Sequence, residues 1–219
     1  MNGLPVRAIV FDLDGTLIDS LPDIADSVNQ ALFQLGLAQL TQEQVQSYIG
    51  SGVGNLIELS VPGGKDDPLF SDCLDLFRRQ YQENIFNKTT AYHGLPEVVS
   101  QLASSGYGLA VMSNKFDILV KQLVAHFYAG SIKIALGESA QVPRKPLPDG
   151  LLAALELLQI PAMQAAYVGD SPGDIEAAHN GGLTAIGVTW GYRDAISLSQ
   201  ADYLVDSPAQ LLQLICGNK

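Results

Sequence analysis

Short apolar runs that end abruptly in polar, turn-forming residues recur along the chain. Ala8–Phe11 runs into Asp12, residues 108–112 into Ser113, and residues 132–136 into Gly137. Residues 165–168 lead to Gly169-Asp170, Thr184–Val188 to Thr189-Trp190, and the shorter Tyr203–Val205 to Asp206. These runs are continuous rather than alternating, and they are rich in β-branched residues. That is the pattern of strands buried on both faces, as in a parallel sheet. Helical periodicity fills the intervals. The stretch 96–104 opens on Pro-Glu and ends before Ser105-Gly106, and 117–126 places apolar residues at 119, 120, 123 and 124. Segment 150–158 is rich in Leu and Ala, and 174–179 ends before Asn180-Gly181-Gly182. Alternating strands and helices predict right-handed crossovers and a doubly wound, mostly parallel α/β sheet of Rossmann-like layout.

One stretch breaks that rhythm. Between the first and second strands, residues 22–35, 41–48, Val53–Ser60 and 68–85 all read as helices, with Thr41 and Asp67 as expected N-caps and Pro62-Gly63-Gly64 as a break. The predicted organisation is an α/β core of residues 1–16 and 91–219 with an inserted helical cap domain of residues 17–90. A cap of this kind is expected at the carboxyl ends of the strands, where open α/β sheets bind ligands.

Composition narrows the function. Hydrophobic residues make up 47% of the chain and charged residues 16%, which describes a folded globular protein. The formal net charge of -11 would repel a polyphosphate backbone, so nucleic acid is not an expected partner. A small anionic substrate remains open if a metal and a few cations act locally. The two cysteines, Cys73 and Cys216, form no CxxC pattern and suggest neither a disulfide nor a zinc site. The segment 1–6 has no cationic stretch followed by an apolar run, and no run approaches the ~20 residues that span a bilayer. The expected location is the cytoplasm, without membrane association.

Chemistry-bearing residues cluster where the apolar runs end. Asp12 and Asp14 flank Leu13 at the first exit, followed by Gly15-Thr16. Residues i and i+2 of an extended segment project to one side, so two carboxylates are aimed into one small site. That pairing suits a nucleophile beside a proton donor and acceptor; taken alone, Asp-Gly is equally an ordinary turn. Ser113-Asn114-Lys115 at the second exit offers a hydroxyl and backbone N–H groups to a phosphoryl oxygen, or simply a helix cap. Lys145 stands in the proline-stiffened Pro143-Arg144-Lys145-Pro146-Leu147-Pro148, as a fixed cation or a solvated surface lysine. Asp170 ends a strand and Asp174 lies one turn into the next helix; both can face a hard divalent cation such as magnesium, or serve as caps. Each signal is weak in isolation. Four exits on one edge of a parallel sheet carrying Asp/Asp, Ser, Lys and Asp/Asp form the set that metal-assisted phosphoryl transfer needs.

Taken together, Asp12-Leu13-Asp14-Gly15-Thr16, Ser113-Asn114-Lys115, Lys145-Pro146 and Gly169-Asp170-Ser171 through Asp174 resemble the four ordered motifs of the haloacid dehalogenase superfamily. The resemblance covers nearly the whole chain, and the helical insertion resembles that superfamily's first-type cap. Tyr48-Ile49-Gly50-Ser51-Gly52, Tyr92-His93-Gly94 and Val188-Thr189-Trp190-Gly191-Tyr192 are further similar to phosphoglycolate phosphatases and their near relatives. The resemblance implies that Asp12 attacks phosphorus and becomes an aspartyl-phosphate, and that Asp14 protonates the leaving oxygen and then activates water. It implies phosphoryl binding by Ser113, Asn114 and Lys145. It implies a magnesium ion held by Asp12, the backbone carbonyl of Asp14 and Asp170, with Asp174 supporting. Thr16 and the cap segment from Gly50 to Val53 would border the substrate. Ser113 replaces the usual threonine but keeps its hydroxyl, Pro172-Gly173 is unusual between the last two aspartates, and Leu147 replaces a residue that is polar in some relatives.

The expected activity is a magnesium-dependent phosphatase acting on a small phosphate ester, with 2-phosphoglycolate favoured, by a monomer or homodimer. A sugar-phosphate mutase, pyrophosphatase or nucleotidase of the same family is the nearest alternative; a dehalogenase lacks the second carboxylate that Asp14 supplies. A phospho-accepting signalling domain is the alternative of a different class. It carries no helical insertion after its first strand, and its acceptor follows a later strand.

Overall fold

The computed structural model describes residues 3–217. Its strands are β1 (Ala8–Phe11), β2 (Ile18–Asp19), β3 (Thr90–Ala91), β4 (Gly108–Phe116), β5 (Ile134–Glu138), β6 (Ala165–Gly169), β7 (Thr184–Val188) and β8 (Tyr203–Val205). Six of these form one sheet in the order β5-β4-β1-β6-β7-β8, with each pair whose register is defined running parallel. β1 lies inside the sheet. Ala8 stands opposite Gly108 on one side and Ala165 on the other. Every residue of β1 and β6 is buried, which is why these segments read as unbroken apolar runs. The chain builds outward from β1 through β4 to β5, then returns across β1 to β6. That reversal opens a crevice at the carboxyl ends of β4, β1 and β6, where ligands of open α/β sheets bind.

Helices α5 (Leu95–Ser104), α6 (Asp117–Phe127), α7 (Asp149–Leu158), α8 (Pro172–Gly181) and α9 (Pro208–Cys216) accompany the sheet. On one face, Ala8, Val10, Ala110, Met112, Ala165 and Tyr167 pack with Leu151 and Ala154 of α7 and with Ile175 and Ala178 of α8. The alternation 8/10, 110/112, 165/167 is the strand period that places alternate residues on one face.

The chain divides into two compact units, one running up to Ile18 and resuming at Ala91, the other Asp19–Thr90. The second contains α1 (Leu21–Gln34), α2 (Gln42–Tyr48), α3 (Val53–Ser60) and α4 (Phe70–Asn84). Ile24, Val28, Ala31 and Leu32 of α1 are buried, as are Cys73, Phe77 and Tyr81 of α4, at the spacing of one helical face. Thr41 caps α2 in a reciprocal box with Gln44, as expected. β2 and β3 pair with each other where the chain leaves the core and returns.

Several details differ from the sequence expectation. β5 runs Ile134–Glu138, two residues later than the apolar run 132–136, and includes Gly137. β4 does not stop at Met112 but continues through Ser113-Asn114-Lys115 to Phe116, with its register against β5 slipping between Ser113 and Phe116. Asp67 does not cap α4: its carboxylate accepts from the backbone N–H groups of Leu69 and Gly63, tying a turn, and the helix begins at Phe70. α9 is additional to the expected helices. Its start at Ser207-Pro208 is a cap followed by a proline in the first turn, a signal present in the chain but unsupported by a long periodic pattern.

Asp23 organises the helical unit. Its buried carboxylate accepts from Lys88 N at 3.0 Å and from Thr89 N and Oγ1 at 2.8 Å each, joining the first turn of α1 to the segment that precedes β3. Asp23→Ala would strand two backbone N–H groups and a hydroxyl without an acceptor. The expected cost is about 3 kcal/mol, read as a lowered urea midpoint. A loss below about 0.5 kcal/mol, the ordinary range for surface changes, would show that the clamp does not contribute.

Candidate active site

The loop leaving β1 is wound tightly. Leu13 O accepts from the N–H groups of Thr16, Leu17 and Ile18, so the chain reverses within a few residues and leaves Asp12 and Asp14 at the strand end. Gly15 makes this possible in two ways. Its φ of +83 lies in the left-handed region, and a Cβ there would stand 2.3 Å from Asp170 Oδ2. Asp12, at the end of the buried β1 run, is itself 7% exposed.

Four exits meet, because β5, β4, β1 and β6 are neighbours. One oxygen each from Asp12, Asp170 and Asp174 lies within 4.8 Å of the others, and all three residues are buried. Lys145, from the loop between β5 and α7, reaches into the same place. Its ammonium lies 2.8 Å from Asp12 Oδ1 and 2.6 Å from Asp174 Oδ1, and it donates to the Tyr167 hydroxyl at 2.8 Å. Its hydrogen bonds go to Asp174 Oδ1 and the Tyr167 hydroxyl, and its contact with Asp12 is an ion pair. Lys145 is thus buried rather than a solvated surface residue.

Electrostatics explain what the cluster requires. Burial pushes the Asp12 carboxyl up; Lys145 opposes this, while Asp174 and Asp14 add to it, leaving it at about 6. Burial, then Asp174 and Asp12, push Asp170 to about 8, against hydrogen bonds from Tyr192 and Thr16. Burial also disfavours the Lys145 charge, but Asp12 and Asp174 outweigh it and hold the ammonium above the ordinary lysine range. Among the described residues, the buried carboxylates of Asp12, Asp170 and Asp174 lie together, and their ion pairs come from the single Lys145 ammonium. With all three ionised, that leaves two negative charges over. The donor set is all oxygen, and one divalent cation would balance it. The residues therefore fit a hard metal ion.

Not every residue of the expected site plays the part the sequence suggests. Asp174 is the third residue of α8, and its Oδ2 accepts from Ser171 N and Oγ, closing a capping box, while Oδ1 takes Lys145. It belongs to the cluster and also anchors the lysine and the helix. The Asp14 carboxylate is not one of the three that lie within 4.8 Å of one another; Lys115 Nζ donates to both of its oxygens at 2.7 and 2.8 Å. Thr16 is buried, and its hydroxyl donates to Asp170 Oδ1 at 3.1 Å. Asn114 clamps Lys145 reciprocally, its Oδ1 accepting from Lys145 N at 2.7 Å and its Nδ2 donating to Lys145 O at 3.3 Å. Ser113 is buried at the irregularity of β4. Gly50 lies in the helical unit, exposed between α2 and α3 with φ +109.

Several contributors escape a reading of the sequence. Tyr167 donates to Met112 O at 2.8 Å and accepts from Lys145; its only signal is a single polar tip in an apolar strand. The loop after β7 braces Asp170: Tyr192 N donates to Asp170 Oδ2 at 2.7 Å, and Trp190 Nε1 donates to Thr16 O at 3.0 Å. Gly191 lets this loop approach, since a Cβ there would stand 2.4 Å from both Asp170 Cβ and Gly15 O. Lys115 is legible as part of a motif but not as the partner of Asp14.

Comparison with known proteins places this geometry in context. The family model for haloacid dehalogenase-like hydrolases matches residues 9–188. The phosphoglycolate phosphatase of Chromobacterium violaceum is 33% identical over 220 residues, covering 98% of this chain and 99% of that protein. The phosphoglycolate phosphatase of Aquifex aeolicus is 34% identical, covering 96% and 97%. A crystal structure of a protein from Lactobacillus delbrueckii subsp. bulgaricus is similar with a TM-score of 0.90 and 30% identity, covering 98% of this chain and all of that one.

The raised carboxyls at about 6 and about 8 carry a stability consequence. Free of metal, the folded protein holds protons that the unfolded chain has lost. That stabilisation is full below pH ~4, where the unfolded groups titrate, and is lost as pH rises through the folded values. A divalent cation would bind the ionised cluster and reverse the loss. Thermal unfolding with and without saturating divalent cation should show a larger rise in Tm at pH 8 than at pH 6. A rise that is equal at both, or larger at pH 6, would contradict the charge assignment.

Proposed function

The chain belongs to the haloacid dehalogenase-like hydrolase family and is a phosphoric monoester hydrolase; from that premise we propose that it hydrolyses 2-phosphoglycolate through an aspartyl-phosphate on Asp12, with magnesium as its metal. The observation that carries the chemistry is the buried Asp12 carboxylate, held 2.8 Å from Lys145 in a cluster of three buried aspartates that fits a divalent cation. The substrate rests on relatives named phosphoglycolate phosphatase that match nearly the full length of the chain.

In this reading an Asp12 oxygen attacks phosphorus as the ester P–O bond breaks. Asp14 delivers a proton to the departing oxygen, releasing glycolate. Asp14 then takes a proton from water as that water attacks phosphorus, releasing phosphate and regenerating Asp12. Asp12, the Asp14 carbonyl and Asp170 would hold the magnesium, which when bound would supply positive charge to the phosphoryl transfer. Lys145 balances Asp12 and the phosphoryl charge in a buried site, where fixed charges act most strongly. Asn114 keeps the Lys145 backbone in place, and Thr16 with the Tyr192 N–H keeps Asp170 aimed. Ser113 is assigned to a phosphoryl oxygen. The helical unit, with Gly50 in its α2–α3 loop, is assigned to substrate selection on family resemblance alone.

Steady-state kinetics with magnesium on 2-phosphoglycolate, a hexose 6-phosphate, a nucleoside monophosphate and pyrophosphate tests the substrate. Phosphoglycolate should give the highest kcat/KM. A hexose phosphate favoured by more than about tenfold, roughly 1.4 kcal/mol of transition-state discrimination, would overturn the assignment.

A further inference from the structure

We propose that Lys115 recognises the carboxylate of the substrate's leaving group, so that specificity for a short phosphorylated acid is built into the α/β core itself. This rests on the reading that Asp14 protonates the leaving oxygen.

The Lys115 side chain is 5% exposed and its ammonium touches both oxygens of Asp14, at 2.7 and 2.8 Å. The pairing of Lys115 with Asp14 sets where a second anion would meet the ammonium. A proton donor sits ~2.6–3.2 Å from the oxygen it serves, so Lys115 Nζ lies within about 6 Å of the leaving oxygen. In 2-phosphoglycolate the carboxyl carbon is two bonds from that oxygen, and the carboxylate oxygens reach about 3 Å from it. One of them then meets Nζ at the ~2.7–2.9 Å of a charge-assisted hydrogen bond.

The donor arithmetic also works. To face the leaving oxygen, Asp14 has to release one of the two contacts it makes with Lys115. The ammonium carries three N–H donors. One stays on Asp14 and holds its direction, and another takes the substrate carboxylate. A bound carboxylate would in this way free the Asp14 oxygen that delivers the proton, while an ester without a carboxylate leaves Lys115 clasped on both oxygens. A sugar or simple alkyl group offers no anion at that distance.

The test compares 2-phosphoglycolate with ethyl phosphate, which has a similarly basic alkoxide leaving group and no carboxylate, in wild type, Lys115→Met and Lys115→Gln. Lys115→Gln keeps a donor for Asp14 while removing the charge. Thermal unfolding, with and without divalent cation, reports that each variant is folded and its metal cluster intact. The expected result is a loss of about a hundredfold in kcat/KM on phosphoglycolate and less than about tenfold on ethyl phosphate, the scale of one lost buried charge contact. The preference between the two esters collapses in both variants. If the wild type prefers phosphoglycolate and Lys115→Gln keeps that preference, or loses equally on both esters, Lys115 only positions Asp14 and the proposal is overturned. If the wild type itself hydrolyses ethyl phosphate as well as phosphoglycolate, the substrate reading fails, and this proposal fails with it.

Discussion

The Lys145 ammonium lies within 2.8 Å of Asp12, Asp174 and the Tyr167 hydroxyl, and the chemistry of the strand ends depends on that contact. Like-charged carboxylates do not share a dry pocket unless cations hold them. Lys145 balances only part of the charge, and a divalent ion would balance the remainder. Much of the surrounding structure serves this arrangement. Asn114 clamps the lysine backbone, Asp174 gives one oxygen to the ammonium and the other to the cap of α8, and Tyr167 passes the contact on to the backbone of β4. A cation placed so firmly can oppose charge on a neighbouring carboxylate without first having to be organised, which is the condition for electrostatic catalysis.

Topology supplies the neighbours. Because β1 lies between β4 and β6, with β5 beyond β4, residues from positions 12 to 174 converge on one edge of a parallel sheet. The apolar interior of β1 and β6 gives that edge a rigid floor. Glycine appears where the charges must come close: a side chain at Gly15 or Gly191 would occupy the space that Asp170 fills. The result is a site in which the Asp170 carboxylate is held from one side by Thr16 and from the other by the backbone of Tyr192.

The parts of this design that repeat along the chain are legible in it. Buried parallel strands announce themselves as apolar runs, and two of those runs end in or beside Asp12 and Asp170; Lys145, in a loop, reads equally as a fixed cation or a surface lysine until the structure brings it to Asp12. Contacts across long separations leave no such mark. Nothing in Ser113-Asn114-Lys115 says that the lysine pairs with Asp14 or that the asparagine pairs with the Lys145 backbone; those pairings join residues 101 and 31 positions apart. Asp67 has the look of a cap because Asp before Pro is a common helix start, yet local turn hydrogen bonds claim it. Tyr167 is one polar tip in a core strand, and its value exists only because Lys145 arrives beside it.

The central claim is that Asp12 is the nucleophile, and the Asp14→Asn variant tests it most directly, because it should form the aspartyl-phosphate yet hydrolyse it slowly. General-base assistance of this kind is typically worth about 10²–10⁴-fold. Para-nitrophenol leaves without a donated proton, so mixing enzyme and para-nitrophenyl phosphate at comparable concentrations should release up to one nitrophenol per site. Acid quench and peptide mass spectrometry should then find a phosphoryl group on Asp12. A burst with no phosphoryl group on Asp12, or one on another residue, would contradict the account.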